Sequence, residues 1–154
     1  MSLARRKIPR IQAVVLPYLR AELAADYPDI TVGSWIRSVG TNDLDPAKRT
    51  YPIINVRRLG GMAHATRPDL LDRPVIELTA YGDKRLLLEG TEDLYMDARF
   101  LLQEMVDKQV VIPGSGHLHS YFETMGPTQF DSPYDGTWRI QGLIQLGLRP
   151  VRNP

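Results

Sequence analysis

Residues 51–81 constrain the fold more than any other stretch of this chain. They carry two alternating segments, Tyr51-Pro52-Ile53-Ile54-Asn55-Val56-Arg57-Arg58 and Asp72-Arg73-Pro74-Val75-Ile76-Glu77-Leu78-Thr79-Ala80-Tyr81. Successive side chains of a strand point to opposite faces. Pro74, Ile76, Leu78 and Ala80 therefore share one face, and Val75, Glu77, Thr79 and Tyr81 the other. The pattern predicts a strand pair with one face buried and one wet. Leu59-Gly60-Gly61 and a polar loop join the two, and a helical pattern follows. Nothing in the stretch is arranged for chemistry.

Around this pair the remaining elements can be placed. Ile8, Ile11, Val15, Leu16, Leu19 and Leu23 recur at three- and four-residue steps, which predicts an amphipathic helix over residues 9 to 27. Pro9 suits its first turn, and Pro17 requires a kink or a neighbour that accommodates it. Residues 30–36 read as a first strand, followed by a loop over 40–48 that is rich in turn residues. Leu87, Leu94, Ala98, Leu101, Leu102, Met105 and Val106 share a helical face, and Thr91 with Glu92 and Asp93 reads as the cap of a helix over 91–109. Residues 117–125 alternate as a strand. A polar loop over 126–136 then leads to a last strand, in which Trp138, Ile140, Ile144, Leu146 and Leu148 face inward. Arg139, Gln141, Gln145 and Arg149 face outward, with Leu143 as the exception among them. The sum is an α+β fold: a mixed, mostly antiparallel sheet with two main helices packed on one face, in the order α-β-β-β-α-β-β. One domain over residues 1–154 is expected.

Composition narrows the function. The chain has no cysteine, which excludes a disulfide framework, a thiol nucleophile and a cysteine zinc site. Its formal net charge is +1, whereas a dedicated nucleic-acid binder carries a clear basic excess. Only the start is basic, with Arg5, Arg6, Lys7 and Arg10, and a solvated arm accounts for it. No apolar run approaches the ~20 residues needed to span a bilayer. The expectation is a soluble protein without a membrane partner.

Catalytic arrangements are hard to find. The serines near glycine, Ser34 and Ser115, have no positioned base, and Gly114-Ser115-Gly116 lacks the lysine of a phosphate loop. Asp43 and Asp45 sit two apart, but the glycine and terminal glutamate of a calcium loop are missing. The sharpest enzymatic alternative is a small metal-dependent hydrolase. It would use His117, His119 and Glu123 on one strand face, with His64 as a third nitrogen ligand. A nucleic-acid module built on the basic start and on Trp35, Trp138, Tyr134 and Phe130 is the other alternative. Half-exposed strand histidines and core or rim aromatics account for the same residues. No catalytic residue, metal or cofactor is expected.

The layout resembles the tail terminators of long-tailed bacteriophages. The resemblance rests on the order of several pieces. An N-terminal helix and short strand precede Ile54-Asn55-Val56-Arg57-Arg58-Leu59-Gly60-Gly61. Asp72-Arg73-Pro74-Val75-Ile76-Glu77-Leu78 and the helix with Ala98-Arg99 follow. Ser120-Tyr121-Phe122-Glu123-Thr124-Met125-Gly126-Pro127 and Trp138-Arg139-Ile140-Gln141-Gly142-Leu143-Ile144 complete the set. The continuous Leu86-Leu87-Leu88 departs from the more polar link expected there.

The resemblance implies a virion protein, assembled in the host cytoplasm, that caps the head-proximal end of the tail tube. Such subunits form homo-oligomeric rings, usually hexamers, that stop tube polymerisation. They meet the tail-tube protein and the head-completion or stopper protein, and duplex DNA passes through without sequence-specific binding. A head–tail stopper or adaptor is the near alternative. In a ring, Arg57, Arg58, Gly60, Gly61, Asp43 and Asp45 become candidates for the subunit interface. Arg139, Gln141, Gln145 and Arg149 become candidates for partner contacts. Replacing Arg57 and Arg58 by alanine is then expected to weaken assembly while the monomer stays folded.

Overall fold

The computed structural model describes residues 8–34, 50–63 and 71–151. In chain order the elements are α1 (Ile11–Leu23), β1 (Thr31–Gly33), β2 (Ile53–Ala63), β3 (Asp72–Gly82), α2 (Leu87–Asp107), β4 (Val111–Ile112), β5 (Gly116–Phe130) and β6 (Trp138–Pro150). They form one six-stranded sheet in the order β1-β2-β3-β6-β5-β4. Only β1 and β2 run parallel; every other pairing is antiparallel. The α+β reading and its element order hold, with β4 as a two-residue addition.

Both helices cover the same face. Ile54, Val56, Ile76, Leu78, Ala80, Ile140, Ile144, Leu146 and Leu148 form one buried cluster with Ile11, Val15 and Leu19 of α1 and Leu94, Tyr95, Ala98, Leu102 and Met105 of α2. These strand residues are all even-numbered, as a period of two demands. The helices are tied to each other as well. Tyr18 Oη donates to Glu104 Oε2 at 2.6 Å and Tyr27 Oη to Asp97 Oδ2 at 2.7 Å. Burial and the Glu104 hydrogen bond push the Tyr18 phenol up to about 12.

Helix α1 is shorter than its pattern suggests: Pro9 lies before the N-cap Arg10, and the helix ends at Leu23. Pro17 sits inside it on the exposed side. A proline has no N–H for the carbonyl four residues back. That carbonyl, on Ala13, instead accepts a hydrogen bond from Ser115 Oγ at 3.3 Å. The neighbour that accommodates Pro17 is thus the turn after β4.

Helix α2 begins four residues before the expected cap. Leu86 and Leu87 donate their amides to Asp83 O at 3.1 and 3.0 Å, which seats the first turn. Thr91 is fully buried inside the helix and its hydroxyl donates to Leu87 O at 2.6 Å. The Leu86-Leu87-Leu88 run is therefore the start of the helix, not a link into it.

Two strands are longer than predicted. β2 continues through Gly60-Gly61 to Ala63 by a bulge, in which Leu59 and Gly60 together oppose Val75. Both glycines have positive φ, +85° and +97°, and a Cβ on Gly61 would lie 2.2 Å from Arg73 O. The Gly60-Gly61 pair is a bend within the sheet and not part of the connecting loop. β5 in turn runs on to Phe130 along β6, with register breaks between Leu118 and Ser120, Glu123 and Met125, and Met125 and Thr128.

Candidate assembly surface

The face of the sheet away from the helices is built from the odd-numbered residues of β2, β3 and β6, and it differs from end to end. At one end Tyr51, Ile53 and Tyr81 are buried together, with Tyr134 packed against them. The Tyr81 and Tyr134 rings lie 5.6 Å apart. In the next cross-strand row Thr79 Oγ1 donates to Gln141 Oε1 at 3.4 Å, and Arg139 Nε donates to the same oxygen at 3.1 Å. The Arg139 guanidinium lies 5.3 Å from the centre of the Phe130 ring, its cross-strand partner. Asn55, Glu77, Thr79 and Gln141 are all buried here. The wet second face expected for β3 is thus covered over this half, because the turn after β5 folds Tyr134 back over it.

The candidate contact residues divide accordingly. Arg139 and Gln141 belong to the covered end, whereas Gln145 is half-buried and Arg149 exposed at the other. Arg57 faces Glu77 directly across the β2–β3 ladder, Nη2 to Oε2 at 3.0 Å. Arg58 points to the helix side and grips Asp72 through two nitrogens, at 2.7 and 3.1 Å, while its Nε donates to Gly60 O at 2.8 Å. Both guanidiniums already meet carboxylates of their own chain. Gly60 and Gly61 shape the bend that holds Arg58 over Asp72. Asp43 and Asp45 lie outside the described residues, as do Arg5, Arg6, Lys7, Trp35 and His64.

At its far end the open face is exposed and apolar. Met62 is 73% exposed and Phe122 64%, with Leu59 also in water. Phe122, Gln145 and Val75 lie side by side in register, and Leu59 opposes Val75 across the bulge. Arg73 and Arg149 stand on β3 and β6, the strands between these apolar residues, both exposed and neither in an ion pair among the described residues. Alternation alone misses this patch, because Gly60-Gly61 reverses the phase of β2 and the break at His119 that of β5. The paired glycines are the signal that could have revealed the first.

That second reversal also dissolves the proposed metal triad. His117 lies opposite Arg149 on the open face, and His119 packs beside Ser120 against Gly147 on the same side. After the break Tyr121 and Glu123 turn to the helix face. There Glu123 is held by Arg99 Nη1 at 2.9 and 3.3 Å and accepts from Tyr121 Oη at 3.3 Å. Glu123 and the two histidines are on opposite sides of the sheet. Among the described residues no three potential ligands converge.

Burial, and then the nearby Arg149 charge, holds both imidazoles below the ordinary histidine value. With the folded value below the unfolded one, the unfolded chain takes up protons first as pH falls. The stability tied to the neutral rings is complete above the unfolded value of about 6.5 and declines below it, levelling off once the folded rings protonate. Urea midpoints are expected to fall on acidification from about pH 7 to about pH 5. His117→Gln/His119→Gln should flatten that slope, and an unchanged slope would show that the histidines do not carry it.

Comparison with known proteins identifies the context. The profile of the family described as "Phage tail termination protein" matches residues 7–154. The chain is 42% identical over 146 residues to the Gene 22 protein of Mycobacterium phage L5, covering 95% of this chain and 96% of that one. It is 40% identical over 146 residues to the Gene 22 protein of Mycobacterium phage D29, with the same coverage. Among solved structures, a chain in the virion of a native gene transfer agent particle superposes with a TM-score of 0.52 at 15% identity, over 90% of this chain and 94% of that one. That likeness concerns the fold. Among the described residues no helix is long and apolar enough to cross a membrane. The chain belongs to the phage tail termination protein family and is a structural protein of a phage tail.

Proposed function

We propose that this protein caps the head-proximal end of the tail tube as a homo-oligomeric ring, with six copies as the expected number. The ring ends polymerisation of the tail-tube protein and offers its outer side to the head-completion protein. Duplex DNA passes through its centre without sequence-specific contacts. The single observation that carries this reading is the family match, which runs over residues 7–154. The architecture supports it physically. One sheet buttressed by two helices is a rigid plate, and a closed ring needs two different surfaces on each copy. The near-balanced charge also suits a lumen that must let phosphate slide past.

The reading is tested by removing the gene from its phage and examining the lysate by electron microscopy. Overlong tubes without heads are expected. Tails of normal length that simply fail to join heads would instead assign a stopper or adaptor role. Normal, infectious particles would remove the function altogether.

A further inference from the structure

The two sides of the molecule carry opposite charge around exposed apolar residues. On α2, Glu89, the adjacent Glu92 and Asp93, Met96, Phe100, Gln103 and Asp107 recur at three- and four-residue steps. All are exposed, and Phe100 is 63% so. They form a single stripe opposite the buried stripe of Thr91, Leu94, Ala98, Leu102 and Met105. The one basic residue within α2 is Arg99, and it is occupied by Glu123. The stripe is thus acidic, with Met96 and Phe100 at its centre. On the opposite side of the sheet, Leu59 and Met62 on β2 and Phe122 on β5 are exposed, with Arg73 and Arg149 on the two strands between them.

We infer that neighbouring copies join head-to-tail, the outer stripe of α2 of one copy lying on the exposed end of the open sheet face of the next. This rests on the ring reading and specifies the surfaces that build the ring. Charge decides the pairing. Stripe against stripe would set acid on acid, and sheet against sheet would set Arg73 and Arg149 on their own equivalents; only the mixed pairing brings opposite charges together. The composition of the stripe also fits an interface, since Met96 and Phe100 at its centre with acids at its ends match an aromatic and methionine core within a charged rim. Because the two surfaces differ and face opposite ways, the contact is heterologous, and repeated rotation closes it into a ring.

Two charge-reversed proteins test the inference. One carries Glu92→Arg/Asp93→Arg, the other Arg73→Glu/Arg149→Glu. Every substituted side chain is exposed, and circular dichroism checks that each protein is folded. Association is measured by light scattering over a concentration series, alone and on isolated tail tubes of the same phage. Each reversed protein alone should associate about tenfold more weakly than the wild type, or worse. An equimolar mixture should recover wild-type association, because the basic stripe of one then meets the acidic sheet of the other around an alternating ring of even number. The absence of cysteine permits a second readout. Gln103→Cys on the stripe and Gln145→Cys on the open face should be joined by a short bismaleimide when mixed, and neither should link to itself.

If the wild type associates and both reversed proteins do so equally well, the ring survives and this interface does not. Failure of the mixture to recover, or self-linking of Gln103→Cys, overturns it in the same way. If the wild type associates neither alone nor on tubes, the ring reading falls and takes this contact with it.

Discussion

Replacing Gly142 by alanine should cost the fold about 3 kcal/mol. Gly142 lies in the middle of β6 on the helix side, paired with Leu78 of β3. A Cβ there would sit 1.9 Å from Tyr95 Oη, 2.9 Å from Tyr95 Cζ and 2.8 Å from the backbone oxygen of Met125. None of these can yield easily. Tyr95 is fully buried under α2, and Met125 is held by the β5–β6 ladder. In a chain of this size the loss lowers the melting temperature by about 10 °C. Tyr95→Phe offers a partial remedy. Tyr95 Oη is buried with no hydrogen-bond partner, so its removal alone should be near neutral. In Gly142→Ala it should recover part of the loss, though the ring carbon and the Met125 carbonyl stay close. Urea unfolding of the four proteins in this cycle measures the coupling. Additivity of the two substitutions would mean that the hydroxyl is not what the methyl meets.

Arg58→Ala is expected to destabilise the monomer by about 2 kcal/mol, more than the alanine change at Arg57. Asp72 and Glu77 are equally buried, at 7% and 8% exposed, so the difference comes from the number of bonds each arginine makes. Losing Arg58 removes two guanidinium bonds to Asp72 and a third to Gly60 O. Arg57 makes one contact, at 3.0 Å, and is itself 43% exposed, so water compensates more of its loss. Removing Asp72 together with Arg58 should cost clearly less than the sum of the single changes, which a double-mutant cycle in urea would show. If the two effects simply add, the pair is not coupled and the bend at Gly60 stands without it. The expectation that the monomer stays folded without Arg58 therefore changes, and weaker assembly of Arg58→Ala would not by itself identify a subunit contact.

The parts of the fold governed by local periodicity were legible in the sequence. β3 ends within one residue of its predicted boundary, and Leu94, Ala98, Leu102 and Met105 of the expected α2 stripe are buried, joined by Thr91 and Tyr95, while Leu87 is exposed. Features decided by long-range contact were not. Thr91 with two acids looks like a cap. Its burial against Gly82, where a Cβ would come within 1.9 Å of its hydroxyl, shows that packing and not capping places it. Glu77 and Thr79 look like solvent residues until Tyr134 folds over their end of the sheet. The candidate surface was harder still. Alternation places Arg149 and Gln145 on the correct face, yet Met62 and Phe122 reach that face only through irregularities that no period of two can foretell. Arg57 and Arg58 were picked out by adjacency, and register separates them to opposite sides of the sheet.

The irregular course of β5 has a consequence for the free subunit. Beyond His117 its outer edge has no strand partner among the described residues, which leaves a long row of unpaired amides and carbonyls. A straight row of that length is a template for any passing extended chain, and so for amyloid-like growth. The three breaks twist the row out of line, and Pro127 removes a donor from its middle. No incoming strand can follow it for more than a few residues. The exposed edge is thus a poor template for pairing with the sheet of a second copy.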